Sequence, residues 1–174
     1  TSTDVDGGSA VYSIVGGADA ALFTIDSATG VLTFNSAPNF EAPTDAGGNN
    51  VYDVTVHVAD GNGGSDTQAI AVTVTNVNEA PVINSNGGGA SASVSAAENQ
   101  TAATTVTSID VDGGTAVYSI VGGADAALFA IDAVTGLLTF DTPPIFVAPA
   151  AAGATRVYAV IVDATHVNAG SDTQ

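Results

Sequence analysis

Apolar residues recur at every second position in short runs along the whole chain, and Gly, Asn and Asp separate the runs. Tyr52, Val54, Val56 and Val58 alternate with Asp53, Thr55, His57 and Ala59, which predicts a strand with one buried and one wet face. Ile70, Val72 and Val74 alternate in the same way. The run LFTID, then SATG, then VLTF at residues 22–34 predicts a hairpin in which Gly30 supplies the positive φ of the turn. The same pattern returns as LFAID, AVTG, LLTF at residues 128–140. No helical period of useful length is present. Several short strands with turn signals between them, in about 100 residues, predict an all-β chain folded as two-sheet Greek-key sandwiches.

The patterning is periodic at a larger scale. Residues 1–68 align without gaps on residues 107–174, an offset of 106, with 28 identities in the first 34 pairs and 16 in the last 34. VYSIVGGADAALF is identical at 11–23 and 117–129. The chain therefore holds about 1.6 copies of a 106-residue unit. The boundary is expected near NVNEAP, residues 76–81, because Pro81 lacks an N–H and suits a linker or the first residue of a strand. This gives a domain over 1–79 expected to lack its first strands. A second domain over 80–174 is expected to lack its last strand, the counterpart of AIAVTVTNV. Strands left unpaired in this way are open edges, either frayed or completed by neighbouring chains.

Charge narrows the functions available. Eighteen carboxylates face a single cation, Arg156, for a net charge of −17. Such a surplus opposes compaction and calls for a neutralising partner, most naturally a divalent cation. It excludes nucleic acid and insertion into anionic membrane, since both need basic surface. The hydrophobic fraction of 45% and its short runs exclude an acidic disordered tail. With no Cys there is no disulfide or thiolate chemistry. The chain shows no Met, no signal peptide and no apolar run long enough to span a bilayer, and reads as a piece of a longer, processed protein.

Two matching stretches, TDVDGG at 3–8 and IDVDGG at 109–114, each set two aspartates one residue apart. Asp-x-Asp in a loop converges two carboxylates on one ion. Ca²⁺ takes six to eight oxygens at roughly 2.3–2.6 Å, and flanking glycines let the backbone bend around it. The plainer alternative is a polar turn. An EF-hand is excluded, because its twelfth position falls on Val121 or Val15 instead of Glu. The glycine-rich nonapeptide of calcium β-rolls is also absent. DGNGGSD at 60–66 fits a tight polar hairpin better than a calcium loop, because its counterpart HVNAGSD keeps little of the oxygen pattern.

Several motifs in order resemble cadherin-type domains, in the bacterial version found in large surface and secreted proteins. AEN at 97–99 is similar to that family's Pro-Glu-Asn, and DVD at 110–112 to its Asp-x-Asp. LFAIDAVTGLLTF at 128–140 resembles its Phe-x-Ile-Asp…Thr-Gly hairpin. NFE at 39–41 stands where the family has Asp-Arg-Glu. VADG at 58–61 stands where it has Ala-Asp, and NVNEAP where it has the interdomain Asp-x-Asn-Asp-x-x-Pro. The resemblance implies tandem Ig-like, cadherin-like sandwiches with Ca²⁺ between successive domains, stiffening them into a rod. By position it implies ligands Glu41, Asn76, Asn78, Glu79, Asp110 and Asp112 at the middle junction. It places Asp4, Asp6 and Asp60 toward a preceding domain and Glu98 toward a following one. The chain departs from the pattern in several ways, among them that Asp45 and Asp53 become Ala151 and Ala159 in the second copy. Asn76 replaces an Asp, and the linker is one residue short. Glu41 becomes Val147, and Asp60 becomes His166.

Nothing in the sequence supports an enzyme: two His, no Lys, no Cys and no nucleophile-elbow motif are present. The expected function is an extracellular, cell-surface calcium-stiffened structural or adhesive repeat (adhesin stalk, surface layer or filament subunit). Its partners are neighbouring repeats or copies of itself, with self-association by strand complementation. The alternative is a polysaccharide-binding module, against which stand the lack of Trp and the recurrence of Tyr and Phe at equivalent, core-like positions.

Overall fold

The computed structural model describes residues 8–166 and 171–174, so the predicted ligands Asp4 and Asp6 lie outside the described residues. The chain divides into two compact units, Thr1–Val77 and Asn78–Gln174, with the division inside NVNEAP. Both are all-β sandwiches built on the same plan, and together they make about 1.6 repeats.

In the first unit, β1 (Val11–Gly16), β4 (Val51–Ala59) and β5 (Ser65–Thr73) form an antiparallel sheet in the order β1-β4-β5. β2 (Phe23–Ile25) and β3 (Leu32–Phe34) form a hairpin. The alternation read from the sequence sets the faces. Tyr52 and Val54 are each 1% exposed, and Ile14, Leu32, Ile70, Val72 and Val74 pack around them. The rings of Phe23 and Phe34 lie 4.5 Å apart, and Tyr52 meets Phe34 edge-on at 5.1 Å.

The second unit repeats this scheme and adds strands N-terminal to it. Its elements are β6 (Val82–Ile83), β7 (Ala102–Thr105), β8 (Ser108–Ile109), β9 (Val117–Gly122), β10 (Phe129–Ile131), β11 (Leu137–Phe140), β12 (Ile161–Thr165) and β13 (Ser171–Thr173). The sheets run β13-β12-β9, β10-β11-β7 and β6-β8. Pro81, fully buried, leads directly into β6, where Ile83 is wholly enclosed and its N–H donates to Asp172 Oδ2 at 2.8 Å. Ile83, Val106, Tyr118, Leu138, Val162 and Ala164 form the core.

Each hairpin is closed by one aspartate. Asp26 Oδ1 accepts from the N–H of Ala28 and of Thr29 and from the Thr29 hydroxyl, at 3.0, 2.7 and 2.8 Å. Asp132 does the same with Val134 and Thr135 at 3.0, 2.7 and 2.9 Å. The Thr N–H contributes most to holding each carboxyl below its ordinary pKa near 3.8, followed by the Thr hydroxyl. Gly30 and Gly136 follow with φ of +72° and +68°, as the turns require.

Each sandwich also carries a buried aspartate that joins a loop to a strand. Asp19, 4% exposed, accepts from the Ala46 and Asp53 N–H groups at 2.7 and 2.8 Å. Its counterpart Asp125, also 4% exposed, accepts from Ala152 and from Ala159, the latter at 2.8 Å. The aspartate's own N–H returns to the same strand, to Asp53 O or Ala159 O.

Candidate metal centre

The acidic site of the second unit is assembled where β8 ends. Asp110 follows the strand, and its Oδ1 accepts from Asp112 N–H at 2.9 Å while Gly113 N–H returns to Asp110 O at 3.2 Å. The base of this turn is fixed by Tyr118, whose hydroxyl oxygen accepts from Ser108 N–H at 3.1 Å. Asp112 Oδ2 accepts from Glu79 N–H at 2.7 Å, which draws residue 79 onto the DVD turn. The Asn78 amide donates to Glu79 O at 2.6 Å. Carboxylate oxygens of Glu79 and Asp112 come within 4.8 Å of each other. Four predicted ligands of this unit, Asn78, Glu79, Asp110 and Asp112, are thus linked by hydrogen bonds.

The 106-residue offset equates His166 with Asp60, and the structure shows what the exchange does. His166 follows β12 and faces the DVD turn: its Nδ1 lies 3.6 Å from Asp110 Oδ2, with both side chains only 6% exposed. Neither atom has a hydrogen-bond partner among the described residues. The second glycine of DVDGG explains the fit. Gly114 has φ +113°, and a Cβ there would fall 1.8 Å from His166 Nε2. The sequence assigned the glycines to turning the backbone; Gly114 also makes room for the imidazole.

The remaining predicted ligands have local roles. In the first unit Glu41 is exposed, with its N–H donating to Asn39 Oδ1 at 2.9 Å, and Asn76 is exposed as well. Asp60 Oδ1 accepts from Asn62 and Gly64 N–H groups at 2.7 and 3.0 Å, so DGNGGSD is a polar hairpin joining β4 to β5. In the second unit Glu98 Oε2 accepts from Phe146 N–H at 3.0 Å, and Arg156 covers the Phe146 ring at 4.1 Å with its Nε donating to Phe146 O.

Sequence reasoning missed the structural work of Asp19, Asp125 and Asp45. Asp45 accepts from Asn49 and Asn50 N–H groups at 2.9 and 3.0 Å and closes its own loop; the Asn49 bond is the main cause of its lowered pKa. The identity of GGADAALF in both copies was the available signal for Asp19 and Asp125.

This architecture defines a cadherin-like fold. No family model matches the chain. The curated protein cadherin-related family member 2 of Mus musculus is 28% identical over 144 residues, which cover 78% of this chain. The aligned region is 10% of that relative's length, so the chain spans about a tenth of it. Among solved structures, human protocadherin-24 EC1-2 aligns with a TM-score of 0.57 at 22% identity, covering 98% of this chain and 78% of that one. Drosophila N-cadherin EC1-4 gives 0.60 at 16% identity, with 99% and 41% covered. Mouse cadherin-23 EC22-24 gives 0.54 at 22% identity, with 95% and 50% covered. These are animal proteins; they support the cadherin-like fold and not a bacterial source.

Proposed function

We propose that the chain is an extracellular calcium-binding repeat with a structural or adhesive role. Ion uptake at the DVD turn stiffens the tandem, and neighbouring repeats or further copies are its partners. The observation that carries this reading is Asp110 Oδ2: a carboxylate oxygen in a 6%-exposed side chain, 3.6 Å from His166 Nδ1 and without a hydrogen-bond partner among the described residues, in the turn whose Asp112 is bonded to Glu79. A buried, unsatisfied anionic oxygen is costly, and a hard cation satisfies it. The donor set fits Ca²⁺: three carboxylates and the Asn78 amide oxygen are hard oxygen ligands. Asp4, Asp6, Glu41, Asp60, Asn76 and Glu98 enter the proposal through the cadherin resemblance alone.

Extracellular calcium modules bind with Kd of roughly 10⁻⁴ to 10⁻³ M, so millimolar Ca²⁺ adds about 1 kcal/mol per site. The test is a calcium titration of the chain, read by melting temperature and small-angle scattering, with Asp110→Ala/Asp112→Ala beside the parent. The parent is expected to gain melting temperature saturably and to scatter as a more extended particle, and the double variant to lose most of both effects. Identical melting and scattering of the parent in calcium and in EDTA would remove the reading.

A further inference from the structure

The two copies of the repeat use one position differently. In the first unit Asp60 turns back on its own hairpin, and its Oδ1 accepts from the Asn62 and Gly64 N–H groups at 2.7 and 3.0 Å. In the second unit the equivalent residue is His166, and its imidazole faces the DVD turn. Nδ1 of His166 and Oδ2 of Asp110 stand 3.6 Å apart in side chains that are each 6% exposed. Both atoms are buried, and neither has a hydrogen-bond partner among the described residues. The other oxygen of Asp110 is engaged, since Oδ1 accepts from Asp112 N–H at 2.9 Å. Gly114 seats the ring: a Cβ there would fall 1.8 Å from Nε2 and 2.2 Å from Cε1.

The separation of the two atoms decides what can satisfy them. A charged imidazole–carboxylate hydrogen bond closes to about 2.7–2.9 Å. A bridging water, with hydrogen bonds of about 2.8 Å at a tetrahedral angle, holds its partners about 4.5 Å apart. A metal ion bonded to nitrogen and oxygen at about 2.0–2.2 Å, at angles between tetrahedral and trigonal, holds them about 3.3–3.6 Å apart. The observed 3.6 Å matches the metal. Donor chemistry then narrows the ion. Ca²⁺ and Mg²⁺ take oxygen ligands, whereas imidazole nitrogen suits Zn²⁺ and its first-row neighbours. The sequence has no Cys or Met to offer a soft sulfur ligand, which disfavours Cu⁺.

We propose that His166 Nδ1 and Asp110 Oδ2 bind a divalent first-row transition ion of the Zn²⁺ class, with water completing its shell. The ion ties the residue that follows β12 to the turn that follows β8, within the second unit. The first unit has no such donor at this position, because Asp60 supplies no nitrogen. The proposal goes beyond the calcium reading, shares Asp110 with it and is tested without added calcium.

The probe is Zn²⁺ alone, added at neutral pH to the full chain freed of calcium and followed by calorimetry and imidazole ¹⁵N spectra. One equivalent is expected to shift the His166 Nδ1 resonance and to leave His57, the other histidine of the sequence, unchanged. His166→Asn and Asp110→Asn are each expected to weaken binding at least about tenfold, since loss of even an outer-shell partner costs about 10–100-fold. Where a variant fails to fold, the parent spectra carry the test, because His57 is the control within the same molecule. Four results overturn the proposal: no shift at His166, equal shifts at His57 and His166, a shift at His166 Nε2 with Nδ1 unmoved, or full affinity in folded Asp110→Asn. Calcium-dependent melting in a chain whose His166 ignores Zn²⁺ removes this site and leaves the calcium reading standing. A Zn²⁺ shift at His166 Nδ1 in a chain indifferent to calcium does the reverse.

Discussion

Replacing the turn glycine of each hairpin by alanine gives an internally controlled experiment. Gly30 and Gly136 occupy equivalent turns, with φ of +72° and +68° and the same N–H to aspartate carbonyl bond at 2.8 and 2.9 Å. The left-handed backbone penalty for alanine, about 1–2 kcal/mol, is therefore common to both. What the new Cβ meets is different. At Gly30 its nearest neighbours are atoms of the Tyr12 ring at 3.1 Å, part of a side chain that can shift. At Gly136 it would lie 2.1 Å from Val106 O, and backbone cannot yield so cheaply. Val106 is 2% exposed, and its N–H donates to Gly136 O at 2.8 Å. Moving it disturbs the core at about 1–3 kcal/mol and weakens a bond worth about 1 kcal/mol. Gly136→Ala is thus expected to destabilise its unit by about 2–4 kcal/mol more than Gly30→Ala destabilises the other. Urea titration followed by amide resonances of each unit separates the two. Equal losses, or a larger loss from Gly30→Ala, would refute the reasoning.

Further expectations follow from the buried and turn aspartates and from the histidine. Asp125→Ala leaves the Ala152 and Ala159 N–H groups without their acceptor and is expected to cost the second unit about 2–5 kcal/mol, with Asp19→Ala doing the same to the first; urea midpoints check both. Asp26 and Asp132 have folded-state pKa values below the ordinary 3.8, so their stabilisation is present above that pH and lost as pH falls through the depressed values. Asp132→Asn should therefore lower the melting temperature at neutral pH and converge with the parent as the pH falls through the depressed value, as a melting series will show. His166→Asp restores the residue type of Asp60 beside Asp110 and is expected to tighten calcium by about tenfold in calorimetric titration, since ligand charge count tunes such sites.

The parts of the fold legible in the sequence are those governed by local chemistry. Alternation at Tyr52–Val58 gave the faces of β4, and Asp-x-x-Thr-Gly gave both hairpins, because the turn's donors, acceptor and positive φ all lie within five residues. The repeat offset made the exchange of Asp60 for His166 legible, as the loss of a strand ligand. Non-local pairings were not. The two-residue pairing of β6 with β8 carries no periodic signal. The anchoring of Ile83 by Asp172 spans 89 positions. Asp19 and Asp125 look like solvated acids until burial shows that each holds a loop and a strand together. At the candidate site, spacing grouped Asp110 with Asp112, but the bond that brings Glu79 to Asp112 connects residues 33 apart and emerges only in three dimensions.

The clamp of Arg156 on Phe146 shapes how copies of the protein meet. The one guanidinium of the sequence lies over the Phe146 ring and donates from Nε to Phe146 O, and a single cation leaves the 18 carboxylates almost uncompensated toward a neighbouring copy. Approach of like molecules is then regulated by the surrounding electrolyte: repulsion reaches about 30 Å in 0.01 M salt and about 8 Å at physiological strength. In dilute buffer the mutual repulsion is long-ranged, and at physiological ionic strength it acts only near contact.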